Sequence, residues 1–202
     1  MKEFNVVLAG VGGQGTLLAA EALGVAAVKD KLDVRVSEIH GMAQRGGAVA
    51  STVRIGEGVF ASTVLEGQAH VLLGFEPLET LRNLKFASVK TLVIMNTEKI
   101  PPTELTAKNM KYPSITEVVQ KIYRFTRKTV LVQAAQLASK AGSNLAQNVV
   151  LLGVLAGTGT LPLKTESLRE AVRELVPAEH VEMNLRAFQL GYESVKEGRK
   201  KA

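Results

Sequence analysis

The sequence of 202 residues contains no cysteine. Thiolates are the usual ligands of iron–sulfur clusters and of many structural zinc sites, and disulfides need paired cysteines. This chain therefore cannot hold a thiolate-ligated cluster or a cysteine-type zinc site, form a disulfide, or attack a substrate with a cysteine nucleophile. Any such chemistry has to come from another polypeptide.

Aromatic residues are also scarce, at 4% of the chain, and tryptophan is absent. A protein that stacks nucleic-acid bases needs aromatic side chains to do so. The net charge is +6, but its main concentrations are the C-terminal Arg199–Lys201 and the group Arg124, Arg127 and Lys128 beside a predicted helix end. We expect these charges to be solvated on the surface and predict no nucleic-acid partner.

No segment has the uninterrupted apolar character of a membrane span. The longest uncharged stretch, Ala141–Leu163, is interrupted by polar residues such as Asn144 and Asn148 and by several glycines, which favours a buried helix. Met1–Glu3 leads into a glycine-broken apolar run, which is not the pattern of a signal peptide. These features predict a cytoplasmic chain without a membrane partner.

Short apolar runs alternate with helical patterns along the chain, which is typical of an α/β fold with a mostly parallel sheet. Two β-rich runs joined by Gly56-Glu57-Gly58 predict an inserted β-hairpin. We therefore expect a Rossmann-like, mostly parallel sheet with that hairpin and a helical C-terminal third. The predicted strands span residues 4–9, 34–37, 71–74, 91–95 and 130–132, the hairpin strands 50–55 and 59–64, and the first four helices 16–28, 76–86, 114–125 and 133–140.

The first notable motif is a glycine loop between the first strand and the first helix. Gly10, Gly12 and Gly15 satisfy the G-x-G-x-x-G pattern, which allows a tight turn and places a helix N-terminus where it can hold an anion. Glu38 follows at about the distance expected for a ribose-binding carboxylate. The same glycines are also compatible with a plain strand-to-helix turn. No lysine follows Gly15, so the loop is not that of a P-loop nucleotidase.

The second notable motif is a second glycine-rich loop directly after the second predicted strand. It reads Ser-Glu-Ile-His-Gly-Met-Ala-Gln-Arg-Gly-Gly at residues 37–47. Arg45 offers a planar fork for a phosphate or carboxylate, and His40 either titrates near neutral pH or makes a structural hydrogen bond. The candidate ligand- or partner-binding residues are Gly10, Gly12, Gly13, Gln14 and Gly15 in the first loop and Glu38, His40, Gly41, Met42, Gln44, Arg45, Gly46 and Gly47 in the second.

Together, GVGGQG at 10–15 and SEIHGMAQRGG at 37–47 resemble the gamma-type domain of the 2-oxoacid:ferredoxin oxidoreductases. The form of the second loop is similar in particular to the beta-subunit family of the indolepyruvate:ferredoxin oxidoreductases. The resemblance covers nearly the whole chain, so residues 1–202 are expected to be a single gamma-type domain.

The resemblance implies a two-subunit enzyme that oxidatively decarboxylates aryl 2-oxoacids with coenzyme A. The products are an aryl-acetyl-CoA, carbon dioxide and reduced ferredoxin, and the cofactors are thiamine diphosphate, magnesium and iron–sulfur clusters. This chain has neither cysteine nor the Gly-Asp-Gly segment with a downstream asparagine by which thiamine enzymes hold magnesium and the diphosphate. We therefore expect the chain to hold no cofactor by itself. Thiamine, magnesium and clusters are expected on a large alpha subunit, with ferredoxin as the electron acceptor of the complex.

Two alternatives stay open from the sequence. One is a freestanding NAD(P)- or flavin-binding Rossmann oxidoreductase or sensor, which the first glycine loop and Glu38 would suit. The other is a non-catalytic assembly protein with the same fold. The sequence assigns no catalytic residue and no metal ligand in this chain, and residues 38–47 are our candidate for a face that contacts the partner or coenzyme A.

Overall fold

The computed structural model describes residues 3–40, 46–101 and 111–200. Its strands are β1 (Phe4–Val11), β2 (Val34–His40), β3 (Ala48–Ile55), β4 (Val71–Gly74), β5 (Leu92–Asn96) and β6 (Thr129–Val132). Its α-helices are α1 (Thr16–Lys29), α2 (Pro77–Arg82), α3 (Ile115–Ile122), α4 (Ala134–Ala141), α5 (Gln147–Gly157), α6 (Thr165–Leu175) and α7 (Val181–Lys200). Single 3₁₀ turns lie at Leu84–Phe86, Asn144–Ala146 and Ala178–His180.

The six strands form one mixed sheet in the order β2-β3-β1-β4-β5-β6. β1, β4, β5 and β6 run parallel, whereas β3 runs antiparallel to both of its neighbours, β1 and β2. Alternate residues of β1 enter two separate apolar clusters: Val6 and Leu8 pack with α1 and the C-terminal helices, and Val7 and Ala9 pack with α3. The α/β, mostly parallel prediction is confirmed, because helices cover both faces of the sheet.

The predicted position of the hairpin was wrong. Residues 59–64 form no strand, and the observed hairpin is β2–β3, with the second glycine loop as its connection. Residues 59–64 instead lie against β3 through side chains: Thr52 Oγ1 donates to Ser62 O (2.8 Å) and Arg54 Nη1 donates to Ala61 O (2.7 Å). The physical reason is that β1 and β2 already use both edges of β3, so no backbone edge remains for another strand.

The same topology changes the expected β–α–β unit. In the sequence, α1 connects β1 to β2, and the two strands run in the same direction. In the sheet, however, β3 lies between them. Neighbouring strands lie roughly 4.8 Å apart, so β2 is about 10 Å from β1. This spacing matters for the position of Glu38, which β2 carries.

The C-terminal third is helical, as predicted, and α5 is buried along nearly its whole length. It packs closely against α7 where each helix has a glycine. A Cβ built on Gly153 would lie 2.0 Å from Phe188 O, and one on Gly191 would lie 2.1 Å from Val150 O. Only glycine allows the two backbones to approach so closely. Among the helices of the described residues, none has the length and apolar character needed to cross a membrane.

Candidate functional site

The first glycine loop lies where the carboxyl ends of β1 and β4 meet. The strand order reverses direction at this point. From β1, the chain continues through α1 to β2 on one side of the sheet, whereas β4 lies next to β1 on the other side. Such a switch point is the usual ligand crevice of open α/β sheets. Gly13 and Gly15 have φ values of 101° and 73°, which glycine adopts without strain, and Gly15 is the N-cap of α1.

The side chain of Gln14 bridges this crevice. Its Oε1 accepts a hydrogen bond from the Val11 N–H (2.7 Å), and its Nε2 donates to Phe75 O (2.9 Å), directly after β4. The amide group thus satisfies one backbone group from each of the two strand ends that form the switch point. The side chain therefore links the two strand ends across the crevice.

The two glycine loops are joined by reciprocal backbone hydrogen bonds. The Gly12 N–H donates to Gly47 O (2.8 Å), and the Gly46 N–H donates to Gly12 O (3.2 Å). In a dinucleotide-binding loop, the backbone at this position approaches the pyrophosphate. Here the N–H of Gly12 is already committed to the second loop, so the motif joins the loops together.

Helix α5 closes the other side of the first loop. Asn148 is buried and its Nδ2 lies 3.4 Å from Gly15 O, as a weak hydrogen bond. A Cβ built on Gly15 would lie 2.3 Å from the same nitrogen. Gly15 is therefore required by its contact with α5 as well as by its backbone conformation.

A small cavity of about 140 Å³ remains at this edge, lined by Gly13, Gln14, Phe75, Asn96 and Gln147 among others. Ligand pockets are typically about 300–1,000 Å³, so this one is too small for a dinucleotide. Its polar lining is made of amides: Asn96 Nδ2 donates to Gln147 Oε1 (3.0 Å). The geometry does not favour the freestanding NAD(P) or flavin alternative.

The comparison with protein families gives a match over residues 5–194 to the model described as pyruvate ferredoxin/flavodoxin oxidoreductase. The chain belongs to this family.

Among its similar relatives is the indolepyruvate oxidoreductase subunit IorB of Archaeoglobus fulgidus, which is 43% identical over 98% of both chains. The fold is similar to the gamma subunit of a keto/oxoacid ferredoxin oxidoreductase from Geobacter sulfurreducens (TM-score 0.68, 24% identity, 96% of this chain and 99% of that one). It is also similar to the 2-oxoglutarate:ferredoxin oxidoreductase of Magnetococcus marinus (TM-score 0.70, 18% identity), where the match covers 98% of this chain and 32% of that one.

The pyruvate ferredoxin/flavodoxin oxidoreductase family implies cofactors that the donor set of this chain does not fit. The whole sequence has no cysteine. Within residues 3–40, 46–101 and 111–200, no group of three or more histidines and carboxylates is placed to hold a metal ion. Iron–sulfur ligation in particular needs thiolates, so the donor set points to cofactors held by other subunits.

Not all of the predicted residues of the second loop meet the first loop. Gly46 and Gly47 do, through Gly12. Glu38 lies on β2, which β3 separates from β1, and its half-buried side chain lines a groove beside α1 with Leu17 and Glu21. A ribose-binding carboxylate would have to lie beside the first loop, so Glu38 is not in that position. His40 pairs with Val49 through the backbone, and Gly41, Met42, Gln44 and Arg45 lie outside the described residues.

The sequence patterns did not point to a buried carboxylate, Glu76, which lies after β4 at the same carboxyl edge of the sheet as the first glycine loop. Glu76 is fully buried, and its side chain caps α2 by accepting from the Glu79 N–H (2.9 Å). The Tyr112 hydroxyl donates to its other oxygen. Burial, together with this hydrogen bond and the nearby charge of Glu76, raises the pKa of Tyr112. The available signal was Glu76 before Pro77, since proline favours the first position of a helix and the residue before it caps the helix.

Proposed function

We propose that this chain is the small, cluster-free subunit of an indolepyruvate:ferredoxin oxidoreductase. The complex would oxidatively decarboxylate aryl 2-oxoacids with coenzyme A, giving an aryl-acetyl-CoA, carbon dioxide and reduced ferredoxin. Thiamine diphosphate, magnesium and iron–sulfur clusters would be held by a large alpha subunit, which supplies the reactive centre. Residues 1–202 would act as one gamma-type domain of that complex.

The observation that carries the proposal is the 43% identity with the indolepyruvate oxidoreductase subunit of Archaeoglobus fulgidus over 98% of each chain. At this length and identity, no domain of that relative is missing from this chain. The absence of cysteine supports the division of labour, because this chain cannot ligate the iron–sulfur clusters that would pass electrons to ferredoxin in the proposed complex.

We further propose that residues 38–47 contact the large subunit or coenzyme A. The support is that the structure anchors both ends of this segment at the carboxyl edge of the sheet. His40 pairs with Val49 at the end of β2, and Gly46 and Gly47 are bonded to Gly12 of the first loop. Arg45, between these anchors in sequence, carries the guanidinium that suits a phosphate or carboxylate.

The assay that tests the function measures ferredoxin reduction with indolepyruvate and coenzyme A. It is run with this chain alone, with the large subunit alone and with both. We expect turnover only with both, and a higher kcat/KM for indolepyruvate and phenylpyruvate than for pyruvate and 2-oxoglutarate. Turnover by this chain alone, or a preference of the complex for pyruvate, would contradict the proposal.

The assay that tests the role of residues 38–47 uses the double variant Gln44→Ala, Arg45→Ala. We expect weaker assembly with the large subunit or a raised KM for coenzyme A, with KM for the 2-oxoacid changed less. The matched control is Gln136→Ala, Lys140→Ala on the exposed surface of α4, which also replaces one glutamine and removes one positive charge. Unchanged assembly and kinetics in the loop variant would refute this role.

A further inference from the structure

We propose that a basic cavity at the amino-terminal edge of the sheet binds a phosphate-bearing small molecule. The cavity is about 490 Å³ and its wall includes His70, Lys90, Arg127 and Lys128. These residues lie at the starts of the parallel strands: His70 precedes β4, Lys90 lies just before β5, and Lys128 precedes β6. The basic cavity is therefore at the opposite end of the sheet from the glycine loops, and the inference does not depend on the proposed function.

Among the described residues, no carboxylate lines the basic cavity, and the one that interacts with His70, Glu3, is paired with Arg54. Within the described parts of the chain, Lys90, Arg127 and Lys128 have no carboxylate within 4.0 Å. Cations gathered in a concave site with apolar walls produce a stronger local potential than the same cations spread on a flat surface. Such a site attracts anions.

His70 adds a hydrogen-bond donor in a defined tautomer. Its Nδ1 accepts a hydrogen bond from the Asn5 N–H (3.0 Å), so in the neutral ring the proton is on Nε2. The ring is also stacked on Phe4, with 4.8 Å between centroids. The imidazole is thus held in place, and its Nε2–H has no partner among the described residues.

The two segments that carry the cations are fixed to each other by buried threonines. Thr126 Oγ1 donates to Thr91 O (2.8 Å), and Thr91 Oγ1 donates to Ala69 O (2.6 Å) while accepting from the Ser88 N–H (2.8 Å). Both threonines are 3% exposed or less. Lys90 follows Ser88 and precedes Thr91, and Arg127 follows Thr126, so the backbone segments that carry the two cations are fixed relative to each other.

The size and lining of the basic cavity indicate the class of ligand. Its volume falls within the range of roughly 300–1,000 Å³ that is typical of small-molecule sites. Leu92, Val130 and Val195 supply an apolar wall beside the cations. A phosphate ester with an organic body, such as a nucleoside monophosphate, matches this combination of charge and apolar surface. An adjoining cavity of about 480 Å³ shares His70 and Lys90 and provides room for a larger ester.

The test titrates inorganic phosphate, AMP and coenzyme A separately into the full chain by calorimetry, at low and at moderate salt. The variant is Lys90→Ser, Lys128→Ser, and the control Lys140→Ser, Lys164→Ser removes the same charge from exposed positions elsewhere. We expect at least one probe to bind the wild type and the control alike, and to bind the cavity variant about tenfold more weakly. Comparing the three probes distinguishes free phosphate from the phosphate of an ester and from that of coenzyme A.

A second measurement does not depend on the variants. In the ¹⁵N-labelled wild-type chain, the bound probe is expected to shift the Nε2 resonance of His70 and to leave that of His180, which lies outside the basic cavity, unchanged. The proposal is overturned if no probe binds with a dissociation constant below about 10 mM. It is also overturned if the cavity and control variants bind equally, or if the His70 resonance does not respond to a bound probe.

Discussion

The two ends of the central sheet differ in what they offer a ligand. At the carboxyl end, where α/β proteins usually bind ligands, the crevice is bridged by Gln14, and the cavity beside it is only about 140 Å³, with amides as its polar groups. At the amino end, a cavity of about 490 Å³ is lined by cations without a carboxylate. The comparison teaches that a glycine motif of dinucleotide type does not by itself make a ligand site. Here its backbone groups hold two loops of the same chain together.

The largest effect is expected from Gly15→Ala at the carboxyl end. The substitution combines a left-handed backbone conformation with contact against Asn148, and should cost about 3 kcal/mol of the free energy of unfolding. Gly13→Ala is the matched control, because Gly13 also has a positive φ but nothing lies within 4 Å of its Cβ position. Urea unfolding of both variants measures the difference. Equal losses would mean that the contact with α5 contributes nothing.

The next effect is expected at the amino end, from Thr91→Val. The valine keeps the shape but leaves the Ser88 N–H and Ala69 O, which Thr91 Oγ1 now satisfies, without that partner. The expected loss is about 2 kcal/mol. The control is Thr160→Val, because Thr160 also lines the basic cavity but is exposed. Its free energy of unfolding should change by no more than about 0.5 kcal/mol. A Thr91→Val protein as stable as the wild type would show that the basic cavity is not held together in this way.

Gln14→Ala tests whether the bridge is what closes the carboxyl end. Removing the amide leaves the N–H of the buried Val11 without its acceptor and leaves Phe75 O with Asn96 Nδ2 (3.3 Å) as its remaining side-chain donor, which should cost about 1.5 kcal/mol. NAD and NADP binding is expected to stay absent in this variant, because Gly12 remains bonded to Gly47 and Glu38 remains two strands away. Tight NAD(P) binding by Gln14→Ala would show that one side chain alone separates this loop from a dinucleotide site.

The smallest effect is expected from Tyr112→Phe, measured as a function of pH. The pKa of Tyr112 is raised in the folded chain by burial and by Glu76, so its contribution to stability is present below the unfolded pKa of about 10 and is lost as the pH rises above it. The stability difference between wild type and Tyr112→Phe should therefore be constant up to about pH 10 and shrink above it. Tyr123→Phe is the control, and a constant difference for Tyr112→Phe across pH 10 would contradict the contact with Glu76.

Much of the fold could be predicted because it depends on local patterns. The strand at Val71–Gly74 lies where its four-residue apolar run predicts it, and the Ser114–Glu117 capping box begins α3. The buried helix predicted from the apolar residues after Leu145 is α5. In each case, the side chains that specify the element are also the ones that form it.

The hairpin and the site could not be predicted in the same way. Residues 50–55 and 59–64 have similar β-forming composition, but only the first run finds free strand edges, on β1 and β2. Likewise, the spacing between Gly15 and Glu38 is that of a dinucleotide site, while the inserted β3 moves Glu38 away from it. Strand order depends on long-range pairing, to which a local pattern gives no access.

By itself, the sequence determined which chemistry this chain cannot supply and which family its two glycine loops resemble, because both follow from residue types in a fixed order. The tertiary structure alone decided that Gln14 closes the switch point, that Gly12 is bonded to Gly47, and that Lys90 and Lys128 share one cavity. These residues are far apart in the chain or belong to different strand ends. Only the packing of the sheet brings the polar groups of these residues within hydrogen-bonding distance or into the same cavity.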